Sequence, residues 1–341
     1  MTSVLPDPTR PLSFDEARKT FGEILDGFYD KDDLAAFLIA MSKRGESGAE
    51  IAGAAKAAIE RMVTIKAPED TIDVCGTGGD GQNSLNISTA VSLVVAATHI
   101  PVAKHGNRAS SSMAGAADTL EALGVKIDLT PKQAEHCLKE TGITFLFAPT
   151  YHPALVELAP LRRKIGQPTI FNLIGPLANP AQVSRQLIGL ASPRYFDAYS
   201  EAISLLGLDT VLLVSGDDPL DEVSISKSST ALMIRKNENP NSGLPAGRIR
   251  IKPADVNLDT HPISSIRGGN ADYNAQALLD LLAGKASAYR DAVLINAAGA
   301  LIVAEKCWDW DDGVNVASNV IDSGRASQVF EAWKKFSQNL R

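Results

Sequence analysis

The chain has 341 residues, 45% of them hydrophobic and 21% charged, enough apolar material for one large domain and a smaller companion. A formal net charge of -7 leaves no basic field for a nucleic-acid backbone, so an anionic ligand must be met by a local cluster. Cys75, Cys137 and Cys307 are scattered without C-x-x-C spacing, and the start MTSVLPDPTRPLSFDEA lacks a basic region followed by an apolar one; together these argue against a disulfide framework, a structural zinc, export and a membrane span, and fit a cytoplasmic protein.

The first seventy residues read as helices. Ser13 with Glu16, and Ser47 with Glu50, form capping-box pairs that open segments of helical apolar spacing. From Thr71 the texture changes to short apolar runs ending in glycine or polar turns and followed by helical stretches: Ile72 to Cys75, Val102 to Ala103, Thr144 to Phe147 and Val211 to Val214. That alternation predicts an α/β sheet. Thr130, Pro131 and Gln133 start a helix that should end near Gly142, and GITFLFAP after it reads as a buried strand. Further on, TALMI and RIRI read as strands joined by an exposed connection, Glu238 to Gly247.

Three loops follow strands and carry the chemistry. The first, DVCGTGGDGQNSLNISTA at Asp73 to Ala90, runs from a strand through Gly76, Gly78, Gly79 and Gly81 into a helix opened by Asn86, Ser88 and Thr89. Glycines bring the main chain close to a ligand, and a helix N-terminus adds unpaired N–H donors, so the loop suits phosphate. Gly76, Gly78 and Gly81 also satisfy G-x-G-x-x-G, but no acid occurs between Gly81 and Asp118 to take a ribose, and the lysine of a P-loop is absent. A tight turn without a ligand is the bland alternative.

The second loop, VAKHGNRASSS, supplies Lys104, His105, Asn107, Arg108 and three serines ending at Ser112, a set that binds anionic oxygens unless it is only a solvated basic loop. The third, SGDDPLDEVS, packs Asp217, Asp218, Asp221 and Glu222 together; adjacent carboxylates suit magnesium, or else form a surface acid run. Metal-bridged pyrophosphate accounts for all three loops at once.

These segments, together with ADTLEALGV, FLFAPTYHPAL, TIFNLIGPLANPA, PLDE and RDAVLINAAGAL in the same chain, resemble the anthranilate phosphoribosyltransferase family, a branch of the nucleoside phosphorylase-like phosphoribosyltransferases. The resemblance covers nearly the whole chain. It implies a small all-helical domain, residues 1–70 with an added segment at about 152–190, beside a large α/β domain, residues 71–341, with a central, mostly parallel sheet. It further implies a homodimer formed through the helical part, while the acidic balance and the lack of a long apolar stretch leave neither nucleic-acid nor membrane partners expected.

By that likeness Gly76, Gly79, Asp80, Ser84, Asn86, Ile87, Ser88, Thr89, Lys104 and Ser112 would bind phosphoribosyl pyrophosphate. Gly76, His105, Asn107, His152 and Arg162 would contact anthranilate, and Ser88, Asp221 and Glu222 would hold Mg2+. Lys104, Asp221 and Glu222 would carry the catalysis, the transfer of a phosphoribosyl group to the amine of anthranilate in tryptophan biosynthesis. Arg162 also makes sense from its chemistry, since a planar guanidinium matches a carboxylate. Met113, Ala114 and Ala116 stand where many members carry a cation and two hydroxyls, so altered substrate affinity is expected there. Within the fold the rival is a pyrimidine nucleoside phosphorylase-like enzyme. Outside enzymology it is a non-catalytic nucleic-acid-binding relative, which the acidic balance disfavours.

Overall fold

The computed structural model describes residues 4–109, 112–236 and 247–340, so Ser110, Ser111 and nearly all of the expected connection at 238–247 lie outside the described residues. Three helices come first, α1 (Phe14–Leu25), α2 (Lys31–Arg44) and α3 (Gly48–Ile59). Both capping boxes form: the Ser13 and Ser47 hydroxyls accept from the main-chain N–H of Glu16 and Glu50, whose carboxylates bond back. Each such cap stabilises its helix by about 1 kcal/mol.

Next come β1 (Ile72–Gly76), α4 (Ile87–Ala96), β2 (Val102–Gly106), α5 (Ala116–Ala122), α6 (Pro131–Thr141) and β3 (Ile143–Phe147). Four short helices follow, α7 (Ala148–Tyr151), α8 (Pro153–Glu157), α9 (Ala159–Ile165) and α10 (Ile170–Leu173). After them run β4 (Arg185–Gly189), α11 (Phe196–Leu206), β5 (Thr210–Gly216), β6 (Ser229–Arg235) and β7 (Arg248–Ile251). The chain closes with α12 (Ala271–Leu282), α13 (Ala288–Val303), α14 (Trp310–Asp322) and α15 (Arg325–Asn339).

The seven strands form one sheet in the order β3-β2-β1-β4-β5-β6-β7, parallel from β3 to β5 and antiparallel at β6 and β7. This is the expected class, a small helical unit beside an α/β unit with a mostly parallel sheet. One expectation needs correcting: the segment 152–190 is not wholly helical, because Arg185–Gly189 is the strand that pairs with β1 through all five residues. A strand buried on both faces has no alternating pattern to mark it, and RQLIG is short.

Strand β5 shows how the sheet divides the interior. Val211 and Leu213 pack with α1, α2, α3 and α11, whereas Leu212 and Val214 pack with α4 and α13. Successive side chains of a strand point to opposite faces, so one strand serves two hydrophobic cores.

Strand order reverses between β1 and β4. The C-terminal crevice at such a switch point is where open α/β sheets bind ligands. Gly76 and Gly189, the last residues of these strands, are paired partners there.

Candidate active site

The first loop leaves β1 at Gly76 and takes positive φ at Gly78, Gly79 and Gly81, at 66°, 76° and 74°. A side chain at these three positions would force the backbone into a conformation that L-residues avoid, which is why the run is glycine. It then enters α4, whose N-cap Asn86 makes no side-chain capping bond. Ile87 N–H donates to Leu85 O, so the Ser88 and Thr89 amides are the ones left at this helix end, with the dipole favouring an anion. The Thr89 hydroxyl is buried without a partner, and Ser88 stands one residue before it at the same helix end.

Across the switch point lies the acidic loop that follows β5. Its four acids divide into two pairs. Asp217 pairs with Arg250, and Asp218 accepts from Ser224 Oγ at 2.6 Å and meets Lys227 Nζ at 3.1 Å, so both serve the loop's own shape. Asp221 and Glu222 instead join Asp80 of the glycine loop, each offering one oxygen within 4.8 Å of the others. Asp221 Oδ2 accepts from Gly78 N–H at 2.7 Å, while Asp80 Oδ2 and Glu222 Oε2 are buried without a hydrogen-bond partner.

Asp221 and Glu222 are partly solvent-accessible but sunk among protein atoms. Burial first, then their neighbours' negative charge, drives both carboxyls well above the usual carboxylate range. Three crowded carboxylates, two of them with a buried oxygen that has no partner, are what a hard divalent cation requires. The residues present fit magnesium.

The crowding is possible because of glycine. A Cβ at Gly76 would overlap the Asp221 carboxylate, and one at Gly189 would overlap the Asp221 carbonyl. Sequence reasoning misses Gly189; its only signal there is a glycine closing a short apolar run.

Lys104 on β2 is buried, with Nζ donating to Val74 O at 2.8 Å. Burial raises the pKa of both Asp73 and Glu222, and the Lys104 charge offsets part of that rise. Asp73 is fully buried and accepts from His105 N–H at 3.2 Å and Asn179 Nδ2 at 2.8 Å, and burial raises its pKa. Asp73 and Asn179 thus form a buried polar pair that ties β1 to β2, which sequence reasoning does not assign.

His105 and His152 come together with ring centroids 5.1 Å apart. Burial pushes them down to about 3 and about 4, so both rings are neutral at neutral pH. Each has a backbone hydrogen bond, His105 with Gly175 and His152 with Ala178, whereas both Nε2 atoms are buried and unpartnered. The backbone carbonyls hold the proton on Nδ1, which leaves each Nε2 an acceptor.

Arg162, on α9, is half-buried over the Phe171 ring at 6.0 Å and makes no ion pair among the described residues; burial alone lowers its pKa. A desolvated cation without a counter-charge is a receptor for an anion.

Other expected residues are placed differently. The Asn86 side chain is occupied by the protein, its Oδ1 accepting from Thr119 at 2.6 Å and from Asn274 at 3.0 Å. Ile87 is buried in the core with its N–H bonded to Leu85 O. Ser84 bridges to Arg267, Asn107 is exposed with Oδ1 on the Arg108 amide, and Ser112 is exposed beside Met113, which is 69% exposed.

Residues 8–62 match the glycosyl transferase family, helical bundle domain, and residues 68–327 match the glycosyl transferase family, a/b domain. The chain is 50% identical over 331 residues to an anthranilate phosphoribosyltransferase of Novosphingobium aromaticivorans, covering 97% of this chain and 98% of that protein. A second, of Sphingopyxis alaskensis, is 49% identical over 330 residues, covering 96% and 97%. Among solved structures, the anthranilate phosphoribosyltransferase of Thermus thermophilus superposes with a TM-score of 0.89 at 34% identity over 97% of each chain. The enzyme from Saccharomyces cerevisiae in complex with PRPP and Mg gives 0.85 at 26% identity over 98% of this chain and 94% of that one.

Proposed function

The chain belongs to the anthranilate phosphoribosyltransferase family, and on that footing we propose how its own residues perform the transfer of the phosphoribosyl group from 5-phosphoribosyl 1-pyrophosphate to anthranilate in tryptophan biosynthesis. The products are N-(5-phosphoribosyl)anthranilate and pyrophosphate. The observation that carries the reading is the convergence at the β1/β4 switch point of a glycine loop, an uncapped helix end and three clustered carboxylates, of which Asp80 and Glu222 each have a buried oxygen without a partner.

Asp80, Asp221 and Glu222, with the Ser88 hydroxyl beside them, would hold magnesium; the yeast relative was solved with both PRPP and Mg. Bound there, the ion supplies positive charge against the pyrophosphate leaving group. The main chain at Gly76 to Gly79 and the N-terminus of α4 with Thr89 fix the phosphates. Lys104 adds charge from beneath the loop, held by Val74 O, rather than as a flexible arm.

Arg162 takes the carboxylate of anthranilate, and the Nε2 lone pairs of neutral His105 and His152 face the arylamine N–H groups. The amine is unprotonated at neutral pH, so no strong base is needed. Its lone pair forms the C1–N bond as the C1–O bond to pyrophosphate breaks, the electron pair leaves on pyrophosphate oxygen, and the nitrogen then gives one proton to solvent. Positioning and leaving-group stabilisation supply the rate.

A homodimer through the helical part is part of the same proposal, and sedimentation tests it. Cytoplasmic residence fits the described residues, in which no helix is long and apolar enough to cross a membrane.

The deciding experiment follows anthranilate fluorescence after mixing protein with phosphoribosyl pyrophosphate, with and without magnesium. Magnesium-dependent loss of fluorescence with stoichiometric pyrophosphate release is expected. Folded protein that consumes no anthranilate refutes the assignment.

A further inference from the structure

The buried helix α13, the RDAVLINAAGAL segment, has no place in the mechanism above, yet it reaches the acidic loop through one polar side chain. Asn296 is 1% exposed. Its Oδ1 accepts from Val223 N–H at 2.8 Å and its Nδ2 donates to Val223 O at 3.0 Å. The second Nδ2 hydrogen goes to Ala292 O at 2.9 Å, one turn back on the same helix, which fixes the rotamer. The carboxamide therefore imitates a neighbouring strand and pairs both main-chain groups of the residue that follows Glu222.

We propose that Asn296 is a positioning residue for the carboxylate pair Asp221–Glu222, an inference that rests on the metal assignment made above. Two independent observations require such a clamp. Asp80, Asp221 and Glu222 each bring an oxygen within 4.8 Å of the others, so the acidic loop needs contacts other than their own to hold it against the strand ends. Beneath them, Asn296, Ser88, Asp221 and Glu222 line one cavity of about 10 Å³, at the lower limit of what a single water needs. Among the described residues Asn296 is the only side chain hydrogen-bonded to the Val223 main chain, while the Val223 side chain itself packs in the core. No other residue type of this size both donates and accepts in one plane; leucine has the volume without the bonds, and serine lacks the reach.

The test measures binding of Mn2+ alone to the full chain by electron paramagnetic resonance, with thermal melts alongside. Asn296→Leu and Asn296→Ser are expected to weaken Mn2+ binding about 10- to 100-fold, the usual cost of losing a group that orients metal ligands. The magnesium concentration for half-maximal turnover should rise by the same factor, with KM for anthranilate unchanged. Ile295→Val, on the same buried helix but without a bond to Val223, lowers the melting temperature and leaves Mn2+ affinity at the wild-type value. Folded Asn296 variants that bind Mn2+ as the wild type does overturn the proposal. A wild-type chain that binds no Mn2+ overturns the metal assignment itself.

Should both Asn296 variants fail to fold, hydrogen exchange of the wild type decides. Protection of the Val223 amide equal to that of α13 supports the clamp, and rapid exchange at Val223 refutes it.

Discussion

Replacing Gly189 by alanine isolates the geometric premise of the site. The φ of Gly189 is not in the left-handed region, so alanine is acceptable to the backbone and the perturbation is purely steric. Its Cβ would overlap the Asp221 carbonyl, with Asp221 Cα also only 3.1 Å away. Restoring ordinary contact means moving the Asp221 main chain by roughly 2 Å. A misplacement of about 1 Å already costs on the order of 100-fold in rate, so kcat/KM should fall by at least about 100-fold, or ~2.7 kcal/mol of transition-state stabilisation. Overpacking of this kind costs about 1–3 kcal/mol of stability, which a chain of this size tolerates with a melting temperature lowered by a few degrees. The assay is the fluorescence time course at saturating and limiting magnesium, paired with a thermal melt. Activity within about threefold of wild type, in folded protein, would refute the claim that the paired glycines at the switch point seat the metal-binding loop.

Asp221→Asn together with Glu222→Gln should abolish magnesium-dependent turnover while leaving the metal-free melting temperature equal or higher, because both carboxyls are held above their unfolded pKa and like charges are relieved; a large drop in melting temperature would show that the pair is structural. His105 and His152 have folded pKa values of about 3 and about 4 against an ordinary 6.5, so their stabilisation is present above pH 6.5 and drains away as pH falls through the folded values. At pH 5 each has cost about 2 kcal/mol relative to neutral pH, and His105→Asn with His152→Asn should flatten the pH 5–6.5 slope of denaturant stability; an unchanged slope would contradict the buried neutral assignment. Arg162→Gln should raise KM for anthranilate about 10- to 100-fold with KM for phosphoribosyl pyrophosphate unchanged, as loss of a charge-assisted contact requires; equal effects on both substrates would remove Arg162 from carboxylate recognition.

The features legible in the sequence are local ones. The capping pairs Ser13–Glu16, Ser47–Glu50 and Thr130–Gln133 act within one helical turn, and each forms. The run from β1 through Gly78, Gly79 and Gly81 into α4 is also legible, because positive φ and a helix N-terminus are properties of a few adjacent residues. The family likeness added the order of the motifs and hence the class of fold.

Which of four neighbouring acids are free is settled only by the folded chain. Asp217 and Asp218 are claimed by Arg250, Ser224 and Lys227, while Asp80, distant in sequence, completes the group with Asp221 and Glu222. The same holds for β4 as a strand beside β1, for the bond of Lys104 to Val74 O, and for the two neutral histidines with unpartnered Nε2 atoms. These outcomes depend on burial and on partners brought together by the strand crossovers. A residue's charge state and free valences are set by what packs against it, and that neighbour is written elsewhere in the chain.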